Sequence, residues 1–296
     1  YGDHRDLHLS IRRQRQMCIR DRVIARAGFA SRRAAEKIIL DGRVAVNGKT
    51  ILSAALNVKP TDKITIDEII LPTAPATRLW KYNKPVGLVT SEKDEKGRKV
   101  VFDNLPASLP RVLSVGRLDL NSEGLLLLTN DGVLKRKLEL PSTGWTRKYR
   151  VRVNGEPSIK LLQPLMNGII IDGEKFKPMT ISIDRQQGAN AWLTISIKEG
   201  KNREIRRALD HLGFKVNRLI RISYGPFRLE ELKSGAVEEI RTGILKAQLG
   251  NLIELKEEEV NKTGSGFKKP LRRKKKMSDH LANPSKKITQ FKVRNN

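Results

Sequence analysis

The sequence has one cysteine, Cys18, in 296 residues, so no disulfide can close within it and no cysteine-based metal site can form. Histidine is almost as scarce. His4, His8, His211 and His280 are scattered, which makes an imidazole acid-base pair a poor expectation and leaves no His-and-Cys metal spacing. No apolar run approaches the roughly 20 residues that span a bilayer, and no basic amphipathic stretch dominates. Glycines never form a phosphate loop followed by Lys-Ser or Lys-Thr, nor a dinucleotide fingerprint. With no secretory pattern in these residues, the expected compartment is a reducing cytoplasm. Acidic side chains are outnumbered, 32 Asp and Glu against 59 Lys and Arg, for a net charge of +27. That excess predicts a polyanionic partner, with nucleic acid ahead of an anionic membrane.

Taken in order, residues 1–22 are polar, rich in Arg and Asp, and without a sustained period, so they are expected to be foreign to the fold. Met17-Cys18-Ile19-Arg20-Asp21-Arg22 resembles the translation of a sequencing adapter. From Val23 the chain becomes regular. Ser31 reads as the N-cap of a helix with Ala34, Ala35, Ile38 and Ile39 on one face and Gly42 as its left-handed stop. Val44 to Lys49 reads as a strand entering an Asn-Gly hairpin, and Lys63 to Ile66 as its return. Arg32 and Arg33 stand in the first helical turn, where the macrodipole disfavours cations unless a phosphate binds there. Arg26, Arg32, Arg33, Lys37, Arg43 and Lys49 are therefore either a solvated basic face or an RNA-contacting surface.

Residues 71–78, with Pro72 and Pro75, form a stiff linker, and a second domain is expected over 79–250. The chemistry is expected in 115–132. A loop there carries Asp119 and Arg117, Leu125 to Leu128 reads as a buried strand, and Asp131 caps a short basic helix. Tyr149, Val151 and Val153 alternate along one face of a strand. Trp192 to Ile197 alternates too. A helix over 203–212, stopped by Gly213, has Ile205, Ala208, Leu209 and Leu212 as its core face, with Arg203, Arg206 and Arg207 crowding its first turn. Val216 to Tyr224, carrying Arg218 and Arg221, reads as the final strand. Residues 251–296 read as a disordered basic tail, since 262–296 hold twelve Lys or Arg and one Asp, a net +11. A carboxylate among arginines can serve as nucleophile or base without metal or cofactor, but a lone loop aspartate more often caps a turn.

Two resemblances bear on that choice. Ala25-Arg26-Ala27-Gly28-Phe29-Ala30-Ser31-Arg32-Arg33-Ala34-Ala35-Glu36, followed by Gly42-Arg43-Val44-Ala45-Val46-Asn47-Gly48, resembles the S4-type RNA-binding domain over residues 23–70. This implies contact with structured RNA through the helix bearing Arg32 and Arg33. Asn83-Lys84-Pro85-Val86-Gly87, Gly116-Arg117-Leu118-Asp119-Leu120-Asn121-Ser122-Glu123-Gly124, Arg147-Lys148-Tyr149 and Glu199-Gly200-Lys201-Asn202-Arg203-Glu204-Ile205-Arg206-Arg207 together resemble the RsuA/RluB-type pseudouridine synthases of bacterial ribosomal RNA.

The second resemblance implies that Asp119 is the catalytic aspartate, attacking a flipped uridine at the ribose anomeric carbon or the uracil ring. Tyr149 stacks on the uracil and assists proton removal from its carbon five, Arg206 pairs with Asp119, and Ile205 packs against the site. Arg117 holds the RNA open, and Lys84, Arg203 and Arg207 join the substrate-binding residues. It implies no cofactor, no metal and no membrane. The partner is ribosomal RNA or a pre-ribosomal particle, 23S favoured over 16S, acted on by a monomer. The implied fold is α+β: a small S4-like α/β module, then a catalytic domain on a bent, mostly antiparallel sheet. A noncatalytic ribosome-assembly factor of the same fold is the alternative. An S4-fused methyltransferase or aminoacyl-tRNA synthetase should carry a nucleotide-binding glycine motif, which is lacking.

Overall fold

The computed structural model describes residues 19–59 and 61–250. Most of the segment expected to be foreign, and the basic tail expected over 251–296, lie outside the described residues. The first helix, α1 (Ile19–Arg26), crosses the boundary expected after residue 22. Asp21 is 1% exposed and accepts from Arg32 Nε at 2.5 Å, while Ile24 is buried. Residues 19–22 therefore belong to the folded module, which corrects the expectation. A buried carboxylate held by a distant arginine leaves no hydrophobic period to read.

Helix α2 (Arg32–Leu40) starts as expected, with Ser31 Oγ accepting from the Ala34 N–H at 3.1 Å. Gly42 stops it at φ +72°. Strands β1 (Val44–Val46) and β2 (Lys49–Ile51) close a hairpin on Asn47 and Gly48, both at positive φ, the conformation of a type I′ turn. With β3 (Ile64–Ile66) and β4 (Ile69–Ile70) they form a sheet of order β2-β1-β3-β4. Ile24, Ala35, Ile39, Val44 and Ile66 fill a core separate from the rest of the molecule.

The Pro-containing linker is fastened rather than free. Asn130 brackets it, its Nδ2 donating to the Ala76 carbonyl at 2.7 Å and its Oδ1 accepting from the Arg78 N–H at 2.8 Å. The larger domain follows, with β5 (Leu79–Lys84), β6 (Leu113–Val115), β7 (Glu123–Thr129) and α3 (Gly132–Glu139). Asp131 caps α3 as expected, accepting from the Val133 and Leu134 N–H groups at 2.8 and 3.3 Å. Then come β8 (Arg147–Asn154), α4 (Ile159–Asn167), β9 (Ile169–Ile171), β10 (Glu174–Phe176), β11 (Thr180–Gln187), β12 (Asn190–Ile197) and α5 (Glu204–His211). Strand β13 (Val216–Tyr224) is not the last element: β14 (Phe227–Arg228), β15 (Val237–Glu239) and α6 (Thr242–Leu249) follow it.

The main sheet runs β11-β12-β8-β13-β7-β5-β15, with β14 on β13 and β6 on β7. Every pairing is antiparallel except β13 with β7. This is the α+β, mostly antiparallel arrangement expected. Leu125, Leu126, Leu127 and Leu128 are all fully buried because β7 is covered on both faces. Leu126 and Leu128 enter the large core around Tyr149, Val151 and Leu193, whereas Leu125 and Leu127 pack with Leu134, Leu138 and Leu245. No helix among the described residues is long and apolar enough to cross a membrane.

The parallel junction is tight. Gly124 has φ +98°, and a Cβ there would stand 2.4 Å from the Arg221 carbonyl oxygen and 2.8 Å from its nitrogen. Gly124→Ala should cost about 3 kcal/mol or more, since it combines a strained φ with a backbone clash. Urea unfolding of the variant should show a reduced midpoint with unchanged m-value; an unchanged midpoint would refute the tight junction.

Candidate active site

Strands β6 and β7 pair antiparallel and hold between them the loop 116–122. Its backbone is fastened at several points. The Gly116 N–H donates to Glu139 Oε1 at 2.6 Å, and the Thr90 hydroxyl donates to the Leu118 carbonyl at 2.8 Å. Lys84, at the end of β5, has no exposed surface. Its ammonium donates to the carbonyls of Pro85, Asp119 and Ser122 at 3.0, 3.2 and 2.8 Å. Burial pushes the Lys84 pKa down to about 8, against the opposing pull of Asp119 and Glu123. Lys84 is thus not among the residues lining the cavity, contrary to the substrate-binding role expected of it. Its charge is consumed by the loop's own carbonyls.

The fixed backbone leaves the Asp119 side chain 38% exposed, at a cavity of about 140 Å³. Arg117, exposed, stands on the same rim, and Tyr149 and Ile205, both buried, line the wall. The sequence-predicted residues Asp119, Arg117, Tyr149, Ile205 and Arg203 are therefore brought together. Arg203 sits at φ +47°, ψ +33°, just before α5, and its Nη1 lies 4.0 Å from Asp119 Oδ2.

The three arginines at the start of α5 separate. Arg206 was expected to pair with Asp119, but its Nη1 donates to the Val216 carbonyl at 3.0 Å and its Nη2 to the Asn121 carbonyl at 2.7 Å. Burial and the neighbouring Arg203 push its pKa below the ordinary value, with Asp119 opposing that shift. Asp119 thus acts on Arg206 through space, while the contact within ion-pair range comes from Arg203. Arg207 is turned away from the cavity. It pairs with Glu174 at 2.6 Å and Asp172 at 3.3 Å and lies 5.0 Å over the Phe176 ring.

Four charged residues of the lining were not anticipated as site residues: Arg147, Lys201, Glu204 and Arg221. Arg221 is 2% exposed, directly opposite Tyr149, with its Nε donating to the Leu125 carbonyl at 2.7 Å. Its signal in the sequence is an arginine two residues from Leu219, on the core-facing side of β13. Burial pushes the Glu204 pKa up to about 7, with Glu199 adding to the rise and the Lys201 N–H, 3.0 Å away, working against it.

The basic residues of the small module also divide. Arg26 lies at the junction of the two modules, Nη2 donating to Thr77 Oγ1 at 3.0 Å and Nε 3.4 Å from Asp131 Oδ2. Arg32 binds Asp21, and Arg43 binds Asp67 through two nitrogens at 2.9 and 2.5 Å. These partners correct the expectation of a uniform RNA-contacting set. Arg33, Lys37 and Lys49 are exposed.

Comparison with known proteins places this geometry. A family model described as RNA pseudouridylate synthase matches residues 78–211, and one described as the S4 domain matches residues 21–64. A protein of Rickettsia felis named as an uncharacterized RNA pseudouridine synthase is 50% identical over 225 residues, 76% of this chain and 97% of its own. One from Buchnera aphidicola subsp. Schizaphis graminum, named ribosomal large subunit pseudouridine synthase B, is 39% identical over 249 residues, 81% of this chain and 96% of its own. A pseudouridylate synthase crystal structure matches with TM-score 0.55 and 25% identity, over 77% of this chain and 98% of that one.

The Lys84 clamp has a pH signature. Between about 8 and 10.5 the unfolded chain holds a proton on Lys84 that the folded chain has released, so folding stability gains as pH rises through that window. The stability difference between wild type and Lys84→Met should therefore move in favour of wild type by about 1 to 3 kcal/mol across it. Denaturant unfolding at both ends measures this, and a flat difference would show that the ammonium is not desolvated.

Proposed function

Because the chain belongs to the RNA pseudouridine synthases that carry an S4 domain, we propose that it isomerises a uridine of ribosomal RNA, with Asp119 as the catalytic carboxylate. The observation that carries this reading is exposure. Of the two carboxylates lining the cavity, Glu204 is buried, while the Asp119 side chain is 38% exposed on a fastened loop. A nucleophile needs both access and a fixed position.

The reaction breaks the bond from ribose C1′ to uracil N1 and forms one from C1′ to C5. C5 loses its proton, N1 gains one, and no oxidant or cofactor is consumed. Asp119 attacks the ribose anomeric carbon or the uracil ring, opening the route for the base to turn. Tyr149, rigid in β8 at the cavity wall, presents its ring to the flipped base and assists removal of the C5 proton. Arg203 and the half-buried Arg206 surround Asp119 with positive charge. Arg117 occupies the position the base vacates. Extruding the base costs a few kcal/mol, which phosphate contacts from Arg33, Lys37 and Lys49 offset. The large-subunit name of relatives such as that of Buchnera favours 23S RNA. The protein acts as a monomer, in the cytoplasm.

Ribosomal RNA transcripts carrying tritium at uracil C5 test the reading. Wild type should release the label from 23S RNA, Asp119→Asn should release it about 10⁴-fold more slowly or not at all, and Tyr149→Phe should slow it by about 10²-fold or more. Release by Asp119→Asn at the wild-type rate would overturn the catalytic assignment, and release from 16S RNA alone would move the substrate to the small subunit.

A further inference from the structure

Tyr149, Val151 and Val153 turn one face of β8 toward the core, so Lys148, Arg150 and Arg152 stand on the other. Strand register extends that second face sideways. Arg152 lies directly opposite Trp192 on β12 and Arg218 on β13, and Trp192 lies opposite Arg185 on β11. One row across four strands is thus Arg185, Trp192, Arg152, Arg218, stepped at roughly 4.8 Å per strand.

This face is not an apolar layer awaiting a helix. Trp192 belongs to none of the three hydrophobic clusters, and the Arg150 guanidinium lies 4.8 Å over its ring. Its cations are only partly neutralised. Glu123 binds Arg218 at 2.6 Å and Asp184 stands 4.0 Å from Arg150. Among the described residues no carboxylate lies within ion-pair range of Lys148, Arg152 or Arg185, and Arg152 Nε is buried with no hydrogen-bond partner. Like charges directly opposite across strands destabilise a sheet. Arg152 against Arg218 therefore favours an added anion. Cations repeated at strand spacing and only partly neutralised suit the phosphates of an RNA backbone.

We propose that this face is a second RNA-docking surface, on the side of the sheet opposite Asp119, binding phosphates of an RNA segment other than the one entering the cavity. The inference rests on the proposed function only for RNA being the partner. It explains charge that neither the S4 module nor the cavity uses.

The test is Lys148→Gln with Arg185→Gln, both exposed and both away from the cavity, together with a triple variant that adds Arg152→Gln. Binding is measured across a salt series to large-subunit RNA and to a short stem-loop containing the target uridine, with tritium release followed on both. For the long RNA, the slope of log affinity against log salt should fall by about 0.7 to 0.9 per lost contact. Affinity should fall about tenfold, while stem-loop binding and tritium release stay at wild-type values. An unchanged slope on long RNA overturns the proposal and leaves the face to an acidic protein or to solvent. Equal losses on both RNAs also overturn it, because the face would then serve the target segment or the fold itself. Stem-loop turnover by wild type reports on the catalytic reading separately.

Discussion

A buried ammonium shapes the loop that carries Asp119. Lys84 carries its charge into a place with no solvent, where an isolated ion would cost several kcal/mol. Donation to three backbone carbonyls is what makes the position tolerable, and two of those carbonyls belong to Asp119 and Ser122. The loop can hardly relax without leaving the charge unpaired. Strand β5 anchors the clamp from one side and β7 receives the end of the loop on the other. What faces the cavity is then a side chain on a backbone with little freedom, which is the preorganisation that a reacting carboxylate requires.

The arginines of the second half illustrate how helix geometry sorts one composition into different roles. Successive residues on a helix point about 100° apart. Arg203, before α5, reaches Asp119; Arg206 turns to the carbonyls of Asn121 and Val216; Arg207 turns to the acidic hairpin of β9 and β10. Around the cavity this produces a concentration of positive charge in which only part is available to a ligand. The rest holds the walls in place.

Local signals were the legible ones. Ser31, the Asn47-Gly48 turn, the Asp131 cap and the bounds of β13 follow from chemistry within a few residues, and the structure has them where the sequence placed them. The four buried leucines of β7 were legible as a strand for the same reason. Helix α4 was not, because Pro164 lies inside it and argues against a helix. Helix α1 was hidden because its buried Asp21 depends on an arginine eleven residues away. At the site, the motif residues Asp119 and Tyr149 could be named in advance. Lys84 and Arg207 do not line the cavity, because their partners, a loop backbone and a hairpin, come from distant parts of the chain. Arg221 and Glu204 escaped notice because burial, not identity, gives them their place in the wall.

One carboxylate has a reach beyond its own helix. Asp131 caps α3 and also accepts Arg26 from the S4 module; at the far end of α3, Glu139 accepts the Gly116 N–H that opens the loop carrying Asp119. Arg111 adds a second tie, donating to the Ala30 carbonyl at 2.9 Å. The modules are therefore not beads on a string. Melting the small module would strip a partner from the residue that caps α3, and fraying α3 would release the loop, so the two halves should lose structure in one cooperative step.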